Sequence, residues 1–232
     1  MRPDDIAEVR KLHLFEGMHE TNFSTMLNAA YLQTFPAQAE LIREGDSADF
    51  LYIVMEGSIE LFAQSNGRET TMAMVRPVNT FILAAVLKDA LYLMSARTVE
   101  RSRVLMIPTS NIRTAFEQDS EFARAIVAEL AGCYRAVVKD HKNLKLRSAV
   151  ERLANRLIRY NTDQGDSGVV ELNHDKRTLA ALLGMTPENL SRAFNTLKPY
   201  GVEVNGNSIK LTDISALEVL AKPNKLIDDR TV

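Results

Sequence analysis

The sequence predicts an α+β protein that consists of an N-terminal β-roll of the jelly-roll type, a long helix and a C-terminal winged helix-turn-helix. Between residues 31 and 108 apolar and polar residues alternate, which is typical of short antiparallel strands. Between residues 122 and 144 the apolar residues recur every three or four positions, which predicts a single long helix. After residue 168 the patterns of a strand, two helices and a hairpin around Asn205-Gly206 follow in the order of a winged helix-turn-helix.

These patterns divide the chain into three segments. We expect residues 1–116 to form the β-roll domain, with two short helices at its start, because apolar residues between positions 6 and 30 have helical spacing. Residues 117–146 are expected to form the long helix, and residues 147–232 the winged helix-turn-helix domain. Turn signals separate the predicted strands of the roll at Glu44-Gly45-Asp46, Glu56-Gly57 and Asn66-Gly67.

The composition is that of an ordinary globular protein. Charged residues make up 25% of the chain and hydrophobic residues 46%, which excludes the disordered and collagen-like classes. The longest purely apolar run, Phe81 to Leu87, is too short to span a bilayer. The N-terminus is acidic within five residues and has no apolar core, so we expect no secretory signal and a cytoplasmic location.

Charge and cysteine content narrow the function classes further. The first 144 residues carry 15 basic and 19 acidic groups, whereas residues 145–232 carry 13 and 11. This split permits a nucleic-acid role for the second part of the chain. The single cysteine, Cys133, excludes a disulfide framework, and it excludes an iron-sulfur cluster that takes several thiolates from one chain.

The long helix carries an apolar seam that predicts self-association. A seam of this length is typical of two parallel helices packed along each other, so we expect a homodimer. The alternative is that the helix packs on its own β-roll. The seam residues expected at the dimer interface are Ile126, Leu130, Cys133, Val137, His141 and Leu144.

Gly184 is expected to supply the tight turn between the two helices of the helix-turn-helix, and the segment after it carries the residues that point to a function. Thr186 is expected to cap the second helix of the helix-turn-helix, together with Pro187 at its first position. An arginine can donate two hydrogen bonds to a guanine, a glutamate can accept one from a cytosine, and a serine can contact thymine or phosphate. The residues expected to contact double-stranded DNA are Thr186, Glu188, Ser191, Arg192 and Asn195, although any exposed helix face is also polar.

Over nearly its whole length the chain resembles the cyclic-AMP-receptor and FNR superfamily of bacterial transcription regulators. The resemblance rests on EGD at 44–46, EGSIELF at 56–62, the long helix and the Glu188-x-x-Ser191-Arg192 pattern of the FNR branch. The resemblance implies a β-roll like that of cyclic-nucleotide-binding domains, and it implies a homodimer. It assigns contacts with the bases of a TTGAT-type inverted repeat to Glu188, Ser191 and Arg192. It also implies that RNA polymerase is a partner.

Departures from this family argue against cyclic AMP as the effector. Its cyclic-nucleotide binders hold the ligand with a Gly-Glu-x-Gly-like turn and a downstream Arg-Ser-Ala, but the aligned positions here read Leu83-Ala84-Ala85-Val86 and Tyr92-Leu93-Met94. The carboxylate for the ribose and the arginine for the phosphate are both missing. Arg97 lies at a later strand position, and we do not expect it to replace that arginine.

The segment from Thr80 to Thr98 resembles the nitric-oxide-responsive DNR and NnrR-type subgroup, some members of which are thought to use haem. The resemblance implies nitric oxide sensing through haem, with His13 as the candidate axial ligand. The alternatives are a different small-molecule effector, or a β-roll core that binds no ligand at all. An apolar effector pocket is expected from Phe81, Leu83, Ala84, Tyr92 and Met94.

Enzyme motifs are missing from the sequence. It has no G-x-S-x-G, phosphate loop, Rossmann glycine pattern or H-E-x-x-H, so we expect no catalytic activity. No two histidines have the spacing of a zinc site. A more distant alternative is a ligand-binding or scaffold module whose helix-turn-helix contacts another protein rather than DNA.

Overall fold

The computed structural model describes residues 3–229. They form two compact units, which we call the β-roll unit, ending at Cys133, and the winged-helix unit, beginning at Tyr134. Each unit has a hydrophobic core of its own. Among the described residues, no helix is both long enough and apolar enough to cross a membrane.

The β-roll unit contains two four-stranded antiparallel sheets with the strand orders β1-β8-β3-β6 and β2-β7-β4-β5. Apolar side chains from both sheets join one core, as the alternating pattern predicts. The strands are β1 Tyr31–Phe35, β2 Glu40–Ile42, β3 Phe50–Glu56, β4 Ile59–Ser65, β5 Arg68–Val75, β6 Asn79–Phe81, β7 Ser95–Thr98 and β8 Ser102–Pro108.

One segment of the roll was expected to be extended but is helical. The prediction of alternating strands is wrong for Leu83–Lys88, which form a short helix after Ile82, itself in the left-handed region at φ 63°. Leucine and alanine favour helix, and a short apolar run cannot be assigned by periodicity alone. The helices that begin in this unit are α1 Pro3–Arg10, α2 His13–Glu16, α3 Glu20–Asn28, α4 Leu83–Lys88, α5 Thr109–Gln118 and α6 Ser120–Leu146.

The turn between β3 and β4 depends on Gly57. Its φ of 84° lies in the left-handed region, and a Cβ at this position would lie 2.8 Å from the carbonyl oxygen of Arg101 and 2.8 Å from Cα of Ser102. The predicted turn at Glu56-Gly57 is therefore confirmed, and the backbone of the neighbouring chain excludes any side chain there.

We expect Gly57→Ala to destabilise the β-roll unit by about 2–5 kcal/mol, from left-handed strain together with the backbone clash. Gly67→Ala is the matched control, because Gly67 has a φ of 72° but nothing within 4 Å of the added Cβ. The control should lose only about 1–2 kcal/mol. Denaturant unfolding followed by circular dichroism measures both changes, and equal losses would contradict the clash.

The start of α6 is fixed by Asp119, which is fully buried. Its carboxylate accepts hydrogen bonds from the backbone N–H groups of Phe122 and His19 and from the side-chain amide of Asn22, at 3.0, 2.8 and 3.0 Å. Burial raises the pKa of this carboxyl, but these donors outweigh it and the pKa lies below its usual value. Asp119 therefore ties α6 to the helices at the start of the chain.

The winged-helix unit packs α7, α9 and α10 around a small antiparallel sheet with the order β10-β11-β9. The predicted hairpin is confirmed, since β10 and β11 pair from Val202↔Leu211 to Asn205↔Ser208. A short 3-10 helix, Lys198–Tyr200, follows α9. The remaining elements are α7 Ala149–Asp163, β9 Val169–Glu171, α8 Lys176–Leu182, α9 Pro187–Leu197, β10 Val202–Asn205, β11 Ser208–Leu211, α10 Ile214–Ala221 and α11 Lys225–Asp228.

Candidate nucleic-acid interface

The helix-turn-helix consists of α8, a turn at Gly184 and α9. Gly184 has a φ of 62°, as the turn requires. The hydroxyl of Thr186 accepts a hydrogen bond from the backbone N–H of Asn189 at 3.3 Å, and Pro187 begins the helix. The predicted cap and the predicted turn are therefore both confirmed.

Helix α9 has one face in the core and one face in solvent. The buried face is less than 10% exposed throughout and consists of Leu190, Ala193, Phe194 and Leu197. All five residues that were expected to contact DNA are exposed, and they begin at the first turn of the helix. We call the four on the helix itself the reading stripe: Glu188, Ser191, Arg192 and Asn195. The structure brings them together as predicted, and their contact with DNA stays a prediction.

Asn189 belongs to this surface, although the sequence reasoning did not single it out. Its side-chain oxygen accepts a hydrogen bond from the guanidinium of Arg192 at 2.6 Å. The i, i+3 spacing of Asn189 and Arg192 is the sequence feature from which this contact could have been predicted. On the same surface, hydrogen bonds from Thr186 and the helix backbone, then the charge of Arg192, lower the pKa of Glu188. Glu188 is therefore an ionised acceptor at neutral pH.

Three exposed basic residues of this unit lie in the helix-turn-helix or follow it in the chain. Arg177 lies in the first turn of α8, Lys198 follows α9, and Lys210 lies on β11 of the hairpin. Basic side chains in such positions can bind DNA phosphates. Contacts of this kind fix the position of a protein on the duplex but do not distinguish one base sequence from another.

The predicted dimer seam on α6 divides into a buried and an exposed part. Ile126 is completely buried and Leu130 packs against the same β-roll core, so the alternative that α6 packs on its own roll holds for this first part. Further along, Cys133, Val137, His141 and Leu144 are exposed.

The exposed apolar face of α6 includes residues that were not part of the predicted seam. Val127 and Tyr134 are 61% and 71% exposed, and Val137 is 65% exposed. Val127, Tyr134 and His141 repeat every seven residues, as do Leu130, Val137 and Leu144, which is the a/d pattern of a coiled coil. We call Val127, Tyr134, Val137 and Leu144 the α6 stripe. Two positions account for the difference, because Val127 and Tyr134 replace Ile126 and Cys133 of the predicted seam while its other positions keep their place in the pattern.

Cys133 lies beside the α6 stripe. Partial burial, and then the charge of Glu129, raise the pKa of its thiol. The reactive thiolate of Cys133 is therefore disfavoured.

The residues of the predicted effector pocket mostly belong to the β-roll core. Phe81, Leu83 and Tyr92 are buried and Met94 packs against the same core, whereas Ala84 is exposed on α4. Apolar side chains that fill a core against one another do not form a slot for a large flat ring. In this structure the pocket residues other than Ala84 are therefore part of the β-roll core, and their contact with an effector stays a prediction.

Two buried tyrosines lie at the edge of this core. The ring of Phe81 stacks on Tyr52 with 5.3 Å between centroids. Tyr52 and Tyr92 also line a surface cleft of about 380 Å³ whose rim includes Asp46 and Asp49. Burial is the largest cause that raises the pKa of both tyrosines, so both remain neutral phenols.

Arg97 already has two acidic partners. Its guanidinium lies 2.7 Å from Glu60 and 2.8 Å from Glu69, and it packs over the ring of Phe62. A phosphate that approached this arginine would have to displace or repel these carboxylates. The geometry supports the expectation that Arg97 does not replace the missing phosphate ligand.

His13 is exposed at the first position of α2. Among residues 3–229, no group of three or more histidine, cysteine, aspartate and glutamate side chains could hold a metal ion. Ligation of haem iron by His13 stays a prediction.

Comparisons with known proteins agree with both units. Residues 32–119 match the family of the cyclic nucleotide-binding domain, and residues 151–220 match the Crp-like helix-turn-helix domain. The chain thus belongs to the Crp/FNR family: it is a transcription regulator with a DNA-binding helix-turn-helix. Regulators of this family bind DNA and act as dimers.

Individual relatives are distant but extend over most of the chain. A CRP-like cAMP-activated global transcriptional regulator of Mycobacterium tuberculosis is 21% identical over 88% of this chain and 94% of its own length. FixK2 of Bradyrhizobium japonicum is 24% identical with a TM-score of 0.71, covering 84% of this chain and 98% of that one. DNR of Pseudomonas aeruginosa is 21% identical with a TM-score of 0.53, covering 94% and 98%. Because their sequence identities to this chain are below 25%, the structures of FixK2 and DNR establish the fold alone.

Proposed function

We propose that this regulator is a homodimer that reads a TTGAT-type inverted repeat with its two copies of α9. The observation that carries the proposal is the reading stripe, because its side chains are exposed while the opposite face of α9 is buried. A helix seated in this way presents hydrogen-bonding groups to the major groove, and the core fixes its orientation.

Each residue of the reading stripe has a chemical role in this proposal. Arg192 donates two hydrogen bonds to a guanine, and ionised Glu188 accepts one from a cytosine amine. Ser191 contacts thymine or phosphate, and Asn195 extends the contact along the groove. In this proposal Thr186, at the N-terminus of α9, contacts a backbone phosphate. An inverted repeat mirrors the two-fold symmetry of a dimer, so each protomer reads one half-site.

Effector control is the second part of the proposal. An effector bound at the β-roll unit would favour the DNA-competent arrangement by a differential free energy on the order of 1–3 kcal/mol. The haem and nitric oxide hypothesis stays a prediction, with His13 as the candidate ligand. The alternative of a regulator without an effector is favoured by one observation, the burial of Phe81, Leu83 and Tyr92 in the core. Recruitment of RNA polymerase is proposed from the family resemblance alone.

Binding to a TTGAT–ATCAA duplex, measured by fluorescence anisotropy against a scrambled duplex of equal length, tests the DNA-reading proposal. We expect tighter binding to the repeat by about three orders of magnitude or more, as for specific regulators in general. Equal affinity for both duplexes would overturn it and would favour the scaffold alternative.

The same titration, repeated anaerobically with haem and then with nitric oxide, tests the effector. Saturable haem uptake at one per protomer, with DNA binding only after nitric oxide, would support the gas sensor and single out His13→Ala as the next variant. DNA binding without haem uptake would remove the haem hypothesis and leave the regulator in place.

A further inference from the structure

The junction between α6 and α7 lies within the winged-helix unit. Helix α6 ends at Leu146 and α7 begins at Ala149, after a capping box in which Ser148 and Glu151 exchange hydrogen bonds. The chain changes direction across Arg147 and Ser148. Contacts that hold these two residues therefore fix how α7, and the helices packed on it, are oriented with respect to the C-terminal half of α6.

Arg147 is held by the C-terminal segment of the chain. Its side chain is only 7% exposed, and its two terminal nitrogens bind the two carboxylate oxygens of Asp228 at 2.7 and 2.6 Å. Asn143, one turn earlier on α6, accepts a further hydrogen bond from Arg147 at 3.2 Å. A bidentate arginine–carboxylate pair fixes both distance and orientation, which an apolar contact does not.

The carboxylate of Asp228 is ionised in this arrangement. Burial raises its pKa, but the hydrogen bonds from Arg147 and from the backbone N–H of Asn224 lower it more, so the pKa lies below its usual value. Asn224 also caps α11, the short helix that carries Asp228. The ion pair and the cap at Asn224 thus connect α11 to the junction.

Arg152 connects the same junction to the helix-turn-helix. Its Nη1 donates to the carbonyl oxygen of Arg147 at 2.8 Å, and its Nε donates to the carbonyl oxygen of Leu183 at 2.8 Å. Leu183 precedes Gly184 in the turn between α8 and α9. A Cβ added to Gly184 would lie 2.6 Å from Leu144 of α6, so the end of α6 directly contacts this turn.

We propose that Arg147, Arg152 and Asp228, which we call the junction clamp, are positioning residues that hold α9 at a fixed orientation to the C-terminal half of α6. The clamp thereby selects the half-site spacing that the dimer accepts. This inference rests on the proposed function, because spacing has meaning only when two copies of α9 read one operator. None of the three residues lies on the reading stripe, so the clamp acts on geometry rather than on base contacts.

The clamp predicts a particular pattern of DNA affinities. An isolated half-site is read by one copy of α9, and its affinity does not depend on the junction. An inverted repeat with the right spacing is read by two copies at once, and its affinity depends on how well their separation matches one helical turn of DNA. Loosening the junction should therefore weaken binding to the repeat and broaden the range of accepted spacings.

The test compares Asp228→Asn with Glu218→Gln, an exposed residue of α10 whose substitution changes the net charge equally. Each protein is titrated with a half-site duplex and with inverted repeats whose spacer varies in steps of one base pair. Asp228→Asn should lose about tenfold in affinity at the preferred spacing, equivalent to roughly 1.4 kcal/mol. Its half-site affinity should stay within twofold of the wild type, and Glu218→Gln should match the wild type throughout.

Arg147→Lys provides a second variant, because it keeps the positive charge and removes the bidentate geometry. It should reproduce the broadened spacing profile of Asp228→Asn. Spacing profiles identical to that of Glu218→Gln would overturn the clamp, and so would an equal loss at the half-site, which would show a merely structural role. If the wild-type protein shows no preference for an inverted repeat, the proposed function fails. The clamp is then tested separately by amide hydrogen exchange at residues 147–152. Asp228→Asn should accelerate this exchange, and an unchanged exchange rate would refute the clamp.

Discussion

Replacing Val137 by aspartate is expected to convert the dimer to a monomer and to lower affinity for the inverted repeat by about two to four orders of magnitude. Val137 is 65% exposed on the α6 stripe, so the substitution leaves the fold of one chain intact. In a parallel pair, each protomer loses the burial of a valine, about 1.5–3 kcal/mol, and gains an unpaired carboxylate at the seam. Sedimentation equilibrium measures the change in association directly.

Ala136→Asp is the control for this experiment. It places the same charge at an exposed neighbouring position of α6 that is outside the a/d pattern. This variant should remain dimeric and should bind the repeat like the wild type. A dimeric Val137→Asp protein, or equal dissociation of both variants, would show that the α6 stripe is not the interface.

Replacing Arg192 by alanine is expected to cost about 1–3 kcal/mol of binding free energy at each half-site and to relax discrimination at one guanine. Arg192 is exposed on α9 and makes its side-chain hydrogen bond to Asn189 on the same surface, so its removal leaves the core unchanged. Anisotropy titrations with operators substituted at single base pairs measure the effect. Discrimination should fall at one position of the half-site and persist at the others.

Arg177→Ala provides the contrast, because Arg177 is an exposed arginine of the same unit that lies outside the reading stripe. If Arg177 binds phosphate, its loss weakens binding uniformly across sequences and lowers the salt slope by about one. Arg192→Ala should keep most of its sequence-dependent loss at every salt concentration. A uniform loss for Arg192→Ala, equal on operator and scrambled DNA, would refute its role in base reading.

Local patterns predicted the parts of the structure that depend on neighbours in the chain. The turn at Gly57, the cap at Thr186, the turn at Gly184 and the hairpin at Asn205-Gly206 all follow from residues a few positions apart. Each of these signals has a direct backbone cause, such as a left-handed φ or an unpaired N–H group. The predicted architecture and the reading stripe rest on such signals, which explains why the structure reproduces them.

Features that depend on distant residues could not be predicted in the same way. The pair of Arg147 and Asp228 joins residues 81 positions apart, and no periodicity relates them. Helix α4 was missed because its short apolar run suits a strand as well as a helix. Similarly, the predicted seam on α6 included Ile126, which is buried in the β-roll core. Periodicity alone does not distinguish a side chain that packs on its own roll from one that faces a partner helix.

The separate cores described for the two units have a consequence for cooperativity. No residue of the β-roll core recurs in the winged-helix core among residues 3–229. Two-state unfolding is an approximation for single domains, so we expect the unfolding of a chain with two cores to be followed best with a separate probe in each unit. A substitution inside one core changes the melting of that unit and leaves the other nearly unchanged.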